Sequence, residues 1–144
     1  MANLSRNLVL LALLATTSCQ KGTNFPPLNE GCSAVHATAS LQATLMFGLK
    51  RPNGGRISDV EWAAFLNREV TPKFPEGLTI LEGNGQWQDR SSAAITSEPS
   101  RLIWIVTSDT PNAIQKLQEI RTAYRSLFSQ QSVGLLMTRG CASF

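Results

Sequence analysis

The sequence predicts one α+β domain, in which a four-stranded antiparallel sheet carries two helices on one face. Apolar residues change between the two-residue spacing of strands and the longer spacing of helices, in the order β-α-β-β-α-β. Gly, Pro, Asn and Asp cluster between these segments, where turns are needed. A chain of 144 residues is long enough for a single hydrophobic core. This order is that of the ferredoxin-like split motif, whose first and third strands lie in the centre of the sheet.

The first strand and first helix have clear local signals. Residues 43–50 form a short apolar run followed by a glycine-rich turn, which is typical of a strand. Ser58 and Glu61 have the spacing of a capping box, so a helix begins directly after Ser58. Its apolar residues recur at helical spacing: Trp62, Phe65, Leu66 and Val70. Pro72 ends the helix, because the residue before a proline is disfavoured in the α region.

The second strand has an interruption that allows two interpretations. It is predicted to begin at residues 78–81 and to resume at residues 86–88. Gly83 and Gly85 lie between these parts and indicate either a bulge or a tight hairpin turn. The polar residues 89–92 are predicted as the reversal into the third strand.

The second helix and the last strand complete the motif. Thr110 and Pro111 open the helix, because proline is favoured at the first helical position. One apolar stripe runs along it, formed by Ile114, Leu117, Ile120, Tyr124, Leu127 and Phe128. Residues 132–137 are predicted as the last strand, which runs toward Cys141.

The third strand predicts that the second face of the sheet is also covered. Residues 101–107 are apolar on both faces, with Trp104 opposite Ile103 and Ile105. Two helices cover only one face, so we expect a homodimer through the open sheet face. By fold analogy, such a pair forms a dimeric α/β barrel with an interior cavity. The alternative is that residues 20–42 fold back over this face and leave a monomer.

The start of the chain is typical of an export leader. Residues 8–15 are an unbroken apolar run that is too short to span a bilayer. Residues 14–19 resemble a bacterial lipoprotein signal, in which the cysteine is acylated and becomes the mature N-terminus. We therefore predict a signal at residues 1–18, a lipid on Cys19 and a location in the periplasm or at the envelope membrane surface. The alternative is ordinary cleavage near Ser18, which leaves a free thiol.

The remaining cysteines predict a disulfide. Residues 19–42 lack periodicity and are predicted as a tether, so the folded domain spans residues 43–144. If Cys19 carries a lipid, Cys32 and Cys141 remain as a pair. In the predicted topology the first strand starts where its antiparallel neighbour, the fourth strand, ends. Both cysteines then lie at the same end of the sheet, where they can be joined.

Several segments together resemble a known family. These are Met46-Phe47-Gly48-Leu49, Val60-Glu61-Trp62, the run VTPKFPEGLT at residues 70–79, Gly85-Gln86-Trp87, and the terminal Cys141 and Phe144. They are similar to the exported bacterial proteins of the domain-of-unknown-function family 3574. The resemblance covers nearly all of the chain after the tether. It implies an exported single domain and no established substrate, so it supplies no catalytic residues.

The composition argues against several classes of function. The formal net charge is +3 and the basic residues are scattered, so we expect no nucleic-acid partner. His36 is the only histidine and lies in the predicted tether, which leaves no base for a nucleophilic serine. The carboxylates have no metal-ligand spacing, and phosphate-binding glycine motifs are absent. We therefore expect no metal and no cofactor.

One group of polar residues is a candidate ligand site. Glu98 and Arg101 flank the start of the third strand, and Gln86 and Trp87 lie on the strand that pairs with it. Together they would give an apolar floor, two hydrogen-bond donors and one acceptor or base. The competing interpretation, which we favour, is a structural ion pair beside a packed tryptophan.

Two functions follow from these observations. The favoured one is a membrane-anchored envelope lipoprotein domain that serves binding or assembly, is not an enzyme, and has a small-molecule ligand that the residues do not identify. The alternative is a small cofactor-free enzyme that acts by proton transfer in a dimer cavity. In that case Glu98 is the base and Arg101 stabilises the developing charge.

Overall fold

The computed structural model of this protein describes residues 28–88 and 93–144. Its elements in chain order are α1 (Leu28–Ser33), β1 (Thr38–Gly48), α2 (Asp59–Phe65), β2 (Thr79–Gln88), β3 (Ile95–Thr107), α3 (Pro111–Phe128) and β4 (Gly134–Ala142). The predicted signal at residues 1–18 and the predicted lipid on Cys19 lie outside the described residues. Within them, none of the helices combines the length and the apolar character that a membrane span needs.

The four strands form one antiparallel sheet in the order β2-β3-β1-β4. The predicted α+β class is therefore confirmed, and β1 and β3 occupy the centre as the split motif requires. Alternate residues of the central strands face the helices. Leu45 and Phe47 of β1 and Ile103 and Ile105 of β3 are buried on that side.

The folded region begins earlier than the sequence predicts. β1 starts at Thr38 rather than at residue 43, and α1 occupies part of the predicted tether, residues 19–42. The first residues of β1 alternate small polar side chains with Ala39 and Leu41, so no apolar run marks the start of the strand. Pairing with β4, from Thr38 onward, holds this part of the strand in place.

The second strand is continuous through its glycines. The register of β2 against β3 is unbroken from the pair Thr79 and Trp104 to the pair Gln88 and Ile95. Neither a bulge nor a hairpin turn occurs at Gly83 or Gly85, because each glycine has its own partner in β3. The predicted reversal at residues 89–92 lies outside the described residues; β2 ends at Gln88, and its antiparallel partner β3 begins at Ile95. β3 and β4 are longer than predicted, because exposed polar residues extend both strands beyond their apolar runs.

The helices begin where the sequence predicts. The Ser58 hydroxyl accepts the Glu61 N–H, and the Glu61 carboxylate accepts the Ser58 N–H, which completes the capping box of α2. A π-helical turn, Leu66–Val70, continues this helix. The Thr110 hydroxyl caps α3 at Ala113, and Pro111 occupies the first turn.

An aromatic cluster fills the core between the sheet and the helices. Phe47 of β1 contacts Trp62 and Phe65 of α2 edge-on, with ring centroids 5.3 and 5.8 Å apart. The Tyr124 ring of α3 lies 4.7 Å from that of Phe47. The Tyr124 hydroxyl donates a 2.8 Å hydrogen bond to the carbonyl of Gly48. This bond satisfies the one polar atom of the tyrosine side chain within the apolar core.

A disulfide joins Cys32 of α1 to Cys141 of β4, with the two Cα atoms 5.1 Å apart. The predicted pairing is therefore found in the structure. Cys32 is buried, so the bridge also anchors α1 against the start of the domain. The sequence separation of 109 residues means that the bond closes nearly the whole folded region into a loop.

We predict that removing this disulfide strongly destabilises the fold. The chain-entropy model gives a loss of about 4–5 kcal/mol for a loop of about 100 residues. The variant Cys32→Ala/Cys141→Ala should lose this amount of unfolding free energy in chemical denaturation. Both the intact and the bridge-free protein are measured with Cys19→Ala in place, because that change keeps the bridge and removes the predicted lipid site from both. A loss below about 1 kcal/mol, the size of an ordinary substitution, would contradict the prediction.

A second prediction concerns Tyr124, the single tyrosine of the chain. Burial raises the pKa of its hydroxyl well above the ordinary value, and the charge of Glu98 raises it further, against smaller opposing effects of Arg101 and Arg51. A raised pKa means that folding favours the protonated form. Its stabilising contribution is complete below pH about 10, the ordinary tyrosine pKa, and is lost as the pH rises above it.

The near-ultraviolet absorbance of phenolate reports this titration directly. We expect phenolate to appear only together with unfolding, and the unfolding free energy of the wild type to fall more steeply above pH about 10 than that of Tyr124→Phe. Phenolate that forms while the circular dichroism is still native would show that the hydroxyl is accessible to solvent and would overturn the prediction.

Candidate functional site

The sheet face opposite the helices, which we call the open face, carries the candidate site. It presents the even-numbered residues of β1, β3 and β4 and the odd-numbered residues of β2. Its larger apolar residues are Met46, Leu81, Trp87, Leu102, Trp104, Val106 and Leu136. Among the residues on this face in the described part of the chain, Glu98 is the one charged residue.

A groove of about 820 Å³ lies at the end of the open face where β1 leaves the sheet. Its walls include Met46, Gly48, Lys50, Trp87, Glu98 and Leu102. We call it the Glu98 groove. Its volume is within the range of small-molecule sites, which span about 300–1,000 Å³. The walls combine apolar side chains, Met46, Trp87 and Leu102 among them, with several polar and charged ones.

Gly48 provides the space that the Glu98 side chain occupies. A Cβ atom at position 48 would lie 2.5 Å from Oε1 and 2.8 Å from Cδ of Glu98. The carboxylate therefore lies directly over the backbone of the central strand. Its Oε2 accepts a 3.0 Å hydrogen bond from the backbone N–H of Lys50. An ionised carboxylate has about four acceptor positions, so one such bond leaves capacity for a ligand donor.

Gly48 also connects the groove with the core. Its carbonyl accepts the Tyr124 hydroxyl on the helix side, while the Glu98 carboxylate covers its Cα on the open face. Burial is the main cause of the raised pKa of the Tyr124 hydroxyl, and the negative charge of Glu98 raises it further. Sequence patterns gave no signal for this arrangement, because it depends on the register between β1 and β3.

The predicted four-residue patch is not assembled as a whole. Trp87 and Glu98 both present their side chains on the open face, and Trp87 is 46% exposed. Gln86 contributes to the lining of the same groove, although its position in the strand belongs to the helix side. Three of the four predicted residues therefore line one groove.

Arg101 lies on the opposite side of the sheet from Glu98. Its Nη2 is 2.6 Å from Oδ1 of Asp59 and 3.4 Å from Oε1 of Glu82. The guanidinium also lies over the Trp62 ring, 5.3 Å from its centroid. Its side chain is only 11% exposed. Arg101 therefore ties α2 to the sheet through Asp59 and also pairs with Glu82. The favoured interpretation, an ion pair of Glu98 with Arg101 beside a packed Trp87, is not found, because Arg101 has these other partners and Trp87 is exposed.

The turn after β1 supplies the cationic side of the groove. Lys50 and Arg51 both line it, and the Lys50 carbonyl accepts a 2.8 Å hydrogen bond from Nε2 of Gln130. The Arg51 guanidinium is 2.5 Å from Oε1 of Glu61 and lies over the Phe128 ring. These contacts hold the turn, and with it the Lys50 N–H, in position beside Glu98. Across residues 28–88 and 93–144, no group of three or more His, Cys, Asp or Glu residues is arranged to hold a metal ion.

Comparison with solved structures shows that this fold occurs in a phage enzyme. A phage SAM lyase in complex with S-methyl-5'-thioadenosine matches 72% of this chain and 85% of its own, with 17% identity and a TM-score of 0.55. The same kind of enzyme in its apo state matches 73% of this chain and 86% of its own, with 15% identity and a TM-score of 0.50. At these identities the likeness concerns the fold alone.

Comparison with known sequences gives a family without an assigned activity. No curated protein matches the chain. A family described as "Protein of unknown function (DUF3574)" matches residues 42–144, which include the whole groove and both strands of the predicted patch. This is the family that the sequence motifs indicated, and the protein belongs to it.

Proposed function

We propose that this protein is an exported envelope lipoprotein whose folded domain binds a small molecule in the Glu98 groove, without catalysing a reaction. The observation that carries the binding function is the position of the Glu98 carboxylate over Gly48, inside a groove whose walls combine apolar and polar side chains. Two separate lines of support follow, one for the location and one for the ligand.

Export is supported by the leader pattern and by the disulfide. The apolar run at residues 8–15, followed by small residues and Cys19, has the length and composition of a leader. Disulfides persist mainly in oxidising compartments, such as the bacterial periplasm. The bridge between Cys32 and Cys141 is therefore consistent with a domain that works outside the cytoplasm. A lipid on Cys19 would hold the protein at the membrane surface.

The chemistry of the groove indicates the class of ligand. Glu98 favours a cation or a strong hydrogen-bond donor, and such bonds to a charged group contribute about 1.5–3 kcal/mol. Trp87 and Met46 provide an exposed apolar surface beside it. A flat apolar group could pack against the Trp87 ring while a donor reaches the carboxylate. The ligand class that fits is a small molecule that combines these two parts.

The fold likeness supplies two suitable probes. The phage SAM lyase structure holds S-methyl-5'-thioadenosine, and the enzyme is named for SAM. SAM combines a flat base with a sulfonium cation and a charged amino acid chain, whereas S-methyl-5'-thioadenosine keeps the base and lacks both the sulfonium charge and that chain. The pair therefore separates the contribution of the flat group from that of the charged part of SAM.

A second function, proton-transfer catalysis, is favoured by one observation. A carboxylate that lies in a groove and keeps acceptor capacity is a suitable general base, and the fold also occurs in a lyase. Arg101 cannot stabilise charge in this groove, because it is bound to Asp59 on the other side of the sheet. Lys50 and Arg51 would have to take that role.

The location can be tested at Cys19. We predict that the full chain expressed in a bacterium is recovered with the membrane fraction, with an acyl mass on Cys19 in denaturing mass spectrometry. The variant Cys19→Ser should be found in the soluble fraction without that mass. Ser18→Ala, which keeps the cysteine, is the control and should behave as the wild type. An unmodified Cys19 in the wild type would contradict the anchor.

The ligand class can be tested at Glu98. We predict that the wild type binds SAM and that Glu98→Gln weakens this binding by about 10- to 100-fold, as expected for loss of a charged contact. Binding of S-methyl-5'-thioadenosine should change much less. Titration calorimetry measures both, and Glu119→Gln, an exposed carboxylate on α3, is the matched control.

Each outcome of this titration has a defined meaning. Equal affinities of the wild type and Glu98→Gln for SAM would contradict the proposed role of the carboxylate, and so would a wild type that binds neither probe. If the wild type converts SAM to S-methyl-5'-thioadenosine and Glu98→Gln does not, the protein is an enzyme and the proposal of simple binding is wrong.

A further inference from the structure

We propose that a second copy of this chain covers the open face, so that two sheets pack face to face in a homodimer. This inference is independent of the proposed ligand, because it rests on the whole face rather than on the Glu98 groove alone. Three features of the face support it: its apolar pattern, its lack of charge and its size.

The apolar residues of the open face form a continuous band across the sheet. Leu81, Leu102 and Met46 are direct neighbours on β2, β3 and β1. In the adjacent row, Trp104 of β3 and Leu136 of β4 flank Thr44 of β1. The band therefore reaches all four strands. Trp104, on the central strand β3, and Leu136, on the edge strand β4, are 44% and 58% exposed in the single chain, so both ends of this row leave large apolar side chains open to solvent.

The open face also lacks the charged residues that solvent-facing strands normally carry. Glu98 is its one charged member among the described residues, and it lies at one end of the face. The other polar positions are mostly Thr, Ser, Gln and Gly. Depletion of charge together with enrichment in Trp and Met is typical of the core of a protein–protein interface.

The size of the face fits a second copy. Four strands about 4.8 Å apart and about nine residues long at about 3.3 Å per residue give a surface of about 19 by 30 Å. Two such faces bury about 1,100 Å² in total, if each is treated as flat and the extra area of protruding side chains is left out. A specific interface needs about 1,000 Å² or more, so the face is large enough for a specific contact between two copies.

The alternative cover, the chain's own tether, is too small. Cys32 joins α1 (residues 28–33) to Cys141, which lies on the helix side of β4, and residues 38–48 form β1 itself, so neither segment lies across the open face. Of the predicted covering segment, residues 20–27 remain. Fully extended, they span about 28 Å at most, and a single extended segment is about 5 Å wide. They could shield no more than about one strand of the four.

A two-fold axis through the centre of the face is also compatible with the charges. Glu98 lies four residues from Leu102, which is at the middle of β3. An axis that lies in the interface plane above Leu102, perpendicular to the strands, would place the two Glu98 carboxylates roughly 25 Å apart, at opposite ends of the interface. This distance exceeds the screening length of about 10 Å in 0.1 M salt, so the repulsion between the two carboxylates costs little free energy. The opposite end of the partner's open face would then cover each Glu98 groove.

Native mass spectrometry of the full chain in mild detergent tests the dimer. We expect two chains per particle for the wild type and for Val60→Glu, a control on α2 that adds a charge to an exposed apolar site away from the open face. Trp104→Glu and Leu136→Glu should each raise the dimer dissociation constant by about tenfold or more, because both bury a charge in the interface.

Two results would overturn the proposal. One is a wild type that remains a single chain at every concentration tested. The other is a dimer that persists unchanged in both Trp104→Glu and Leu136→Glu, which would place the contact elsewhere. Circular dichroism identifies any variant that fails to fold, and Leu136, at the sheet edge, provides the second variant if Trp104→Glu is lost. The titration of Glu98→Gln with SAM is read separately, so the two proposals can fail independently.

Discussion

The close approach of Glu98 to Gly48 is the constraint on which the candidate site depends. Gly48 ends the central strand β1, and it has no side chain where the Glu98 carboxylate lies. On the helix side its carbonyl binds the Tyr124 hydroxyl, which is part of the aromatic core. The backbone of Gly48 therefore holds both Tyr124 of the core and Glu98 of the groove in position. A change in the packing of α3 would therefore reach Glu98 through a single hydrogen bond and a single strand.

The alternation of the central strands assigns separate tasks to the two faces. One set of residues packs against the helices, and Arg101 on that side holds α2 through Asp59. The other set forms the open face, where the Glu98 groove and the apolar band lie next to each other. This division explains why an arginine and a glutamate that are close in sequence have different roles. It also places the proposed ligand and the proposed second copy on the same surface.

Much of the fold was predictable because its signals are local or depend only on strand order. The capping box of Ser58 and the pairing of Cys32 with Cys141 are examples. The start of β1 was missed because small polar residues give no apolar run. The prediction that Arg101 joins the patch is wrong, because Glu98 and Arg101 are three positions apart on one strand and must face opposite sides. The sequence alone already contains this reason. The seating of Glu98 on Gly48 depends on interstrand register, which sequence patterns do not specify.

The backbone amide of Lys50 offers the most direct test of this account, because it donates to the Glu98 carboxylate. Nuclear magnetic resonance can follow that amide in the wild type, in Gly48→Ala and in Gly85→Ala. A Cβ at position 85 meets its nearest neighbour at 3.8 Å, so Gly85→Ala is a matched control on the same face. We predict that Gly48→Ala expels the Glu98 carboxylate and shifts the Lys50 amide signal strongly, while Gly85→Ala leaves that signal unchanged. An unchanged Lys50 amide signal in a folded Gly48→Ala protein would show that the carboxylate does not lie over Gly48.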